Sequence, residues 1–335
     1  MHIYRKILIF IIISVTIYLL YRLLQKKSAI QSIIASNVSK TSEGFSNSDN
    51  FSVTNSTNVN LPLREYHIKA SIDSAYDGSA MSIDALTHTI SHGCRFLDFQ
   101  IFSVDNVPMV GYSSNKNNGT YESSNTLPLN DVLKTVSTSV FSGVAPNPND
   151  PLFLFLRFQT VNASIFPLIK NILNINLNGT FYKSPVNKDT LLSKLLQKVV
   201  ILVDNNYYLN LQNTPNSLSA FEKEIVPYIN AYCGTPEFPM IKYNSLLNQA
   251  PISPQIHENG VTTNVTKLQI SIPDGVNPNN PSLVHFIKDH GVQIVPYRFY
   301  LKDSELSNYE EFFKEYKTAC ISMATALLHM KNISD

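Results

Sequence analysis

The sequence predicts an α/β protein, a (β/α)-barrel of the TIM-like kind, preceded by one transmembrane helix. Three observations predict the barrel. Leu152–Phe158 (LFLFLRF) and Lys198–Asp204 (KVVILVD) are continuous apolar runs of the buried, parallel-strand type. Between strands, apolar residues recur at helical spacing, as in Leu129, Val132, Leu133 and Val136 at i, i+3, i+4 and i+7. About seven strand-then-helix units fit in roughly 270 residues, the size of such a barrel. A doubly wound open sheet is the second architecture, because periodicity does not separate closed from open.

The elements follow in order. Tyr66–Ile72 reads as a first strand, and Ile83, Leu86 and Ile90 mark a helix. Arg95–Val104 and the shorter Pro108–Tyr112 are strands, followed by the helix on Leu129 and the run Leu152–Phe158. Ile165, Leu168, Ile169 and Ile172 give another helix, with Ser164 as its N-cap. Leu191, Leu192, Leu195 and Leu196 predict a further helix before Lys198–Asp204. Phe221–Ile229 reads as helix and Lys267–Ile272 as strand. Leu283, Phe286 and Ile287 lie on a helix opened by Pro281. Val292–Tyr300 is a late strand, and Asn308–Tyr316 begins a last helix. Functional residues of a barrel belong at the carboxyl ends of its strands. Those ends fall near 72–74, 98–102, 112, 157–159 and 204.

The amino terminus is of another kind. Ile7–Tyr21 carries no charge and is bracketed by Lys6 and Arg22. It is short for a bilayer core of about 30 Å, but Leu23 and Leu24 extend it and the flanking cations can snorkel. No small-residue cleavage site follows, so residues 1–27 read as an uncleaved anchor that meets the bilayer through 7–24. Residues 28–62 are rich in Ser, Asn and Thr and read as a flexible stalk, which leaves 63–335 for the barrel. Positive charge on both flanks leaves the orientation open.

Composition removes several classes. With 26 basic and 25 acidic residues the net charge is +1, which excludes a nucleic-acid binder relying on bulk positive charge. Three separated cysteines exclude a disulfide scaffold and a cysteine-rich zinc site. With 11 glycines and no GxGxxG or GxxxxGK[ST], a nucleotide phosphate loop is not expected. The 35 asparagines fit an A+T-rich coding sequence, a composition that suits a virion or membrane protein of a large DNA virus.

Six segments carry a resemblance. HIKASIDSAYDG (67–78), HGCRFLDFQIF (92–102), LPLNDVLKTV (127–136), PLFLFLRFQT (151–160), KLLQKVVILVD (194–204) and IPDGVNPNNPSLVHFIKDHGVQIV (272–295) occur in this order. Together they resemble the phosphatidylinositol-specific phospholipase C-like phosphodiesterases across about residues 64–335. The resemblance implies a distorted or incomplete barrel. It also implies chemistry in which one histidine takes a proton from an inositol hydroxyl and a second protonates the leaving group.

This chain departs from that pattern where the chemistry sits. The first histidine position holds Ile72, beside Asp73, and the second falls near Tyr112. No histidine occurs between His92 and His257. Of the implied calcium ligands, Asp73 and Asp98 remain as oxygens, Gln100 replaces an acid, and Arg157 stands where a Glu is expected. Asp204 replaces a phosphate-binding lysine, and Val276 and Asn277 stand where an inositol-binding arginine is usual. A one-residue shift in the match would bring His67 forward as a catalytic candidate. Asp73, Asp98 and Arg157 fit either a residual ligand set or a structural ion-pair network. His88 and His92, at i, i+4, have the spacing of a zinc pair or of an ordinary helix end. Tyr297, Phe299 and Tyr300 read as barrel wall and rim.

The expected function is therefore a membrane-anchored, catalytically inactive phospholipase C-like domain without a cofactor. It would act as a binding or structural module at a membrane, facing a phosphoinositide or other anionic headgroup, or protein assembly partners. The alternative is an active phosphodiesterase with a rearranged site, for which calcium would be the cofactor.

Overall fold

The computed structural model describes residues 60–114, 119–143, 145–257, 260–275 and 279–334. The expected anchor, nearly all of the stalk, and Val276 and Asn277 lie outside these residues. No helix among the described residues is long and apolar enough to cross a membrane. The Leu61 backbone N–H donates to the Tyr66 hydroxyl at 3.2 Å.

A central sheet holds β2 (Phe96–Val104), β3 (Val107–Gly111), β4 (Leu127–Pro128), β5 (Leu152–Phe158), β6 (Val199–Asp204) and β7 (Ala231–Cys233). Its order is β4-β3-β2-β5-β6-β7. The pairs β2–β5, β5–β6 and β6–β7 are parallel, as the continuous apolar runs predict. β2 and β3 form an antiparallel hairpin turned by Asp105 and Asn106, both at positive φ, the geometry a tight two-residue turn demands.

β1 (Tyr66–Ile68) extends the circuit. Ala70 bridges Phe96 in parallel on one side, while Ile68 and Ser71 bridge Ile294 and Tyr297 on the other. Ile294 in turn bridges β9 (Ile270–Ile272), which pairs in parallel with β8 (Met240–Lys242). The neighbours therefore run β7, β6, β5, β2, β1, residues 294–297, β9, β8. Among the described residues β7 and β8 share no ladder or bridge, so this barrel circuit has one open seam. A doubly wound sheet does not bring its first strand between β2 and the last strand, so the pairing favours the barrel reading.

Two cores follow from the period-two alternation of strands. Tyr66, Ile68, Ala70, Phe96, Phe153, Phe155, Val200, Leu202, Ile270 and Ile294 fill one buried cluster, the inside of the ring. Leu97, Phe99, Leu154, Leu156, Ile201 and Val203 belong to the other, against the helices. The same parity carries Asp98, Gln100, Arg157 and Asp204 inward at the carboxyl ends.

The surrounding helices are α1 (Ile83–Ser91), α2 (Leu129–Ser139), α3 (Phe166–Leu177), α4 (Asn205–Leu211), α5 (Pro215–Glu224), α6 (Tyr243–Leu247), α7 (Leu283–Lys288), α8 (Ser304–Tyr316) and α9 (Met323–Ser334). α2 buries Leu129, Val132, Leu133 and Val136, the face its spacing predicts. Several expectations are corrected. Leu191–Leu196 is a single 3-10 turn at Leu192–Lys194, whose Leu192 and Leu195 join the inner cluster. The helix expected at Phe221–Ile229 starts at Pro215 and ends at Glu224, and Val226–Tyr228, with Pro227 inside, is a separate 3-10 turn. Ser164 is not the cap of α3: Asn162 caps a preceding 3-10 turn by accepting from the Ser164 N–H at 3.1 Å. Residues 292–300 make bridges rather than a continuous strand. A short β10 (Cys320–Ser322) pairs antiparallel with β1 at its amino end.

Candidate functional site

β2 and β5 lie in register with Gln100 opposite Arg157. Asp98 precedes Gln100 by two residues and so faces the same interior. The chain leaves β1 through Asp73, which adopts φ 49° and turns its backbone N–H onto Asp98 Oδ2 at 2.8 Å. Asp is one of the few residues that tolerates this left-handed conformation.

Arg157, 6% exposed, ties these residues together. Its Nε donates to Asp98 Oδ1 at 2.5 Å and its Nη2 to Asp73 Oδ1 at 2.7 Å, and Nη2 also bonds Asp98 Oδ2. Gln100 Nε2 donates to Asp73 Oδ1 at 2.9 Å and to the Ser113 carbonyl at 3.0 Å. These two acceptors fix the amide orientation and leave Gln100 Oε1 buried without a partner. Ser74 Oγ accepts the Asp98 N–H at 2.8 Å and bonds the Ser71 hydroxyl at 2.5 Å. Burial pushes the Asp73 carboxyl above the usual carboxylate range, against the opposing pull of Arg157. Burial also acts against the Arg157 charge, but Asp98 and Asp73 outweigh it and raise the guanidinium further.

Three tyrosines lie within reach of the Asp73 charge. Tyr76 and Tyr112 stack at 4.1 Å, and Tyr300 meets Tyr76 edge-on at 4.9 Å. Burial raises all three phenols above their ordinary value, so they stay protonated near neutral pH. Tyr112 is thereby a poor acid–base group.

The other expected positions divide. Ile72 is 7% exposed, and its backbone N–H donates to the Tyr297 carbonyl at 3.0 Å. Asp204 does not join the cluster; its Oδ1 caps α4 by accepting the Asn206 N–H at 2.8 Å. His67 is the middle residue of β1, with Nδ1 on the Val292 carbonyl at 2.9 Å and its ring against Phe312 and Phe313 of α8. The parity of β1 turns it away from the interior, so no shift of the sequence match makes it a mouth residue. Tyr76 was not singled out by the sequence; its only signal is its place in the turn SAYDG.

The residues present do not fit the calcium ion of the resemblance. Calcium takes six to eight oxygens. Here the guanidinium occupies the face of Asp73 and Asp98 that a cation would use. Among the described residues no group of three His, Cys, Asp or Glu is arranged to hold a metal.

No protein-family sequence model matches the chain, and no curated protein does. Solved structures do. The chain is similar to PLC21 of L. pealei over 79% of its length at a TM-score of 0.57 and 14% identity. It is similar to PLC21 of S. officinalis over 80% of its length at 0.56 and 14% identity. The chain has a phospholipase C-like fold. The match spans 38% of each of those two proteins. A third structure, the phosphatidylinositol-specific phospholipase C of Listeria monocytogenes, matches 76% of this chain and 95% of its own at 0.47 and 15% identity. Within the phospholipase C-like fold, the mouth of this chain holds a buried ion-pair cluster of Asp73, Asp98 and Arg157.

Proposed function

We propose that the chain is a catalytically silent phospholipase C-like domain, held at a membrane by residues 7–24, that serves as a binding or structural module. The observation that carries this reading is Arg157. One guanidinium spans Asp73 and Asp98, the two acids that remain of the implied ligand set. Asp73 Oδ1 and both carboxylate oxygens of Asp98 are turned onto that guanidinium. Ile72 cannot take a proton, and among the described residues no histidine bonds to Asp73, Asp98 or Arg157. Arg157 commits Nε and Nη2 to the two carboxylates. Binding is therefore assigned to the surface and to the bilayer itself, and the uncharged run Ile7–Tyr21 supports the membrane location.

The test uses the full chain in phosphatidylinositol vesicles, with and without calcium. The expected result is no release of water-soluble inositol phosphate together with stable co-sedimentation. Release above the vesicle blank, lost in Asp73→Ala, would overturn the silent reading in favour of a rearranged active site.

A further inference from the structure

The histidine pair at the end of α1 belongs to neither the mouth nor the core. His88 and His92 are one turn apart and share a helix face. Their ring centroids are 4.1 Å apart, tilted by 37°. Among the described residues the His88 ring makes no hydrogen bond. Glu310 reaches across from α8, and its Oε1 contacts His92 Nδ1. That contact fixes the His92 ring and leaves Nε2 as its coordinating nitrogen. A carboxylate behind a histidine is the usual outer partner of a histidine–metal bond. The His92 side chain is 40% exposed, so an ion reaches it from solvent.

We propose that His88 and His92 bind one divalent transition-metal ion, with Glu310 of α8 as the outer partner of His92. Metal–imidazole bonds of about 2.0–2.1 Å place two ligating nitrogens roughly 3 Å apart, a separation that two rings with centroids 4.1 Å apart can span. The chain supplies two ligands and solvent completes the sphere, since no third His, Cys, Asp or Glu is placed to ligate. Imidazole favours zinc, nickel and copper over calcium and magnesium. The three cysteines are buried and do not compete. One cation is close by: Lys69 Nζ donates to the His92 carbonyl at 2.5 Å. The carboxylate of Glu310 offsets it.

The experiment is zinc competition between a chromophoric chelator and the full chain in detergent micelles, prepared without a histidine tag. The expected result is one zinc per chain and a melting temperature that rises with zinc. His88→Ala and His92→Ala each weaken zinc binding at least tenfold and abolish the thermal shift. Glu310→Gln weakens it roughly 10–100-fold, the usual effect of removing an outer partner. His285→Ala removes another exposed histidine that meets a carboxylate, Asp289, and leaves zinc affinity unchanged. Absence of stoichiometric zinc binding overturns the proposal, as does equal affinity in the wild type and His88→Ala. Undiminished affinity in Glu310→Gln overturns the role given to Glu310. Both histidines are exposed, so these variants fold.

Discussion

Replacing Arg157 with methionine keeps the bulk of the side chain and deletes its charge. With both carboxylates ionised, the cluster then changes from a net charge of −1 to −2. Asp98, 0% exposed, loses two donors and keeps the Asp73 N–H, while Asp73 keeps only Gln100 among its side-chain donors. Removing one partner of a buried ion pair costs about 3–5 kcal/mol, because the other charge is left buried and uncompensated. At roughly 2–4 °C per kcal/mol this lowers the melting temperature by roughly 6–20 °C. The chain has no tryptophan, so unfolding is followed by far-ultraviolet circular dichroism. A pH arm isolates the cause. Burial holds the Asp73 carboxyl above its unfolded value even with Arg157 present. A carboxyl raised in the folded state contributes stability that is full below the unfolded pKa and is lost as pH rises through the folded one. Deleting Arg157 removes the main opposing pull and raises Asp73 further. Arg157→Met therefore regains stability as pH falls from 7 toward 5, where the wild type gains much less. Adding Asp73→Asn and Asp98→Asn to Arg157→Met restores most of the loss at pH 7. A cost below about 1 kcal/mol, or no recovery on acidification, would refute the role assigned to the guanidinium.

Three other perturbations test the packing around the site. Burial lowers His67 to about 4, so it remains neutral in the folded chain while the unfolded chain protonates it near 6.5. Its stability contribution, about 3 kcal/mol, is present above pH 6.5 and is lost as pH falls toward 4. His67→Phe should flatten the wild-type stability profile in that window, as read by urea titrations at several pH values. Tyr309→Phe leaves the Ala70 N–H without its 2.7 Å acceptor beneath the mouth and should cost about 1–3 kcal/mol by the same titration. Gly291→Ala places a methyl 2.8 Å from Val265 Cγ2 and 3.0 Å from Pro254 Cγ at a φ of +56°. Thermal unfolding should show a loss of about 1–3 kcal/mol from this overpacking.

The long buried strands were legible because their sequences allow little else. LFLFLRF and VVILVD are apolar on both faces, and only a sheet covered on both sides accepts them. The short elements were not. Each of β7, β8 and β10 has three residues, too few for an alternation to register. α4 reads NNYYLNL, without an apolar face of helical period, and is started by the Asp204 cap. Leucines 191, 192, 195 and 196 have the helical period without the helix. Leu192 and Leu195 are instead drawn into the inner cluster, a case where tertiary burial, and not local period, sets the backbone.

At the mouth, the sequence showed which residues were missing but not how those that remain are joined. Asp73 and Arg157 are 84 residues apart, and only the parallel pairing of β2 with β5, and the bridge from Ala70 to Phe96, brings them into contact. Asp73 and Asp98 look like a surviving ligand set when read one at a time. Two buried carboxylates need a cation, and retaining both is the pattern a metal site would leave. In this chain the cation is covalent. A guanidinium cannot dissociate, does not lose its proton at physiological pH, and meets both acids in fixed directions. The acids are therefore accounted for by Arg157 without any ion.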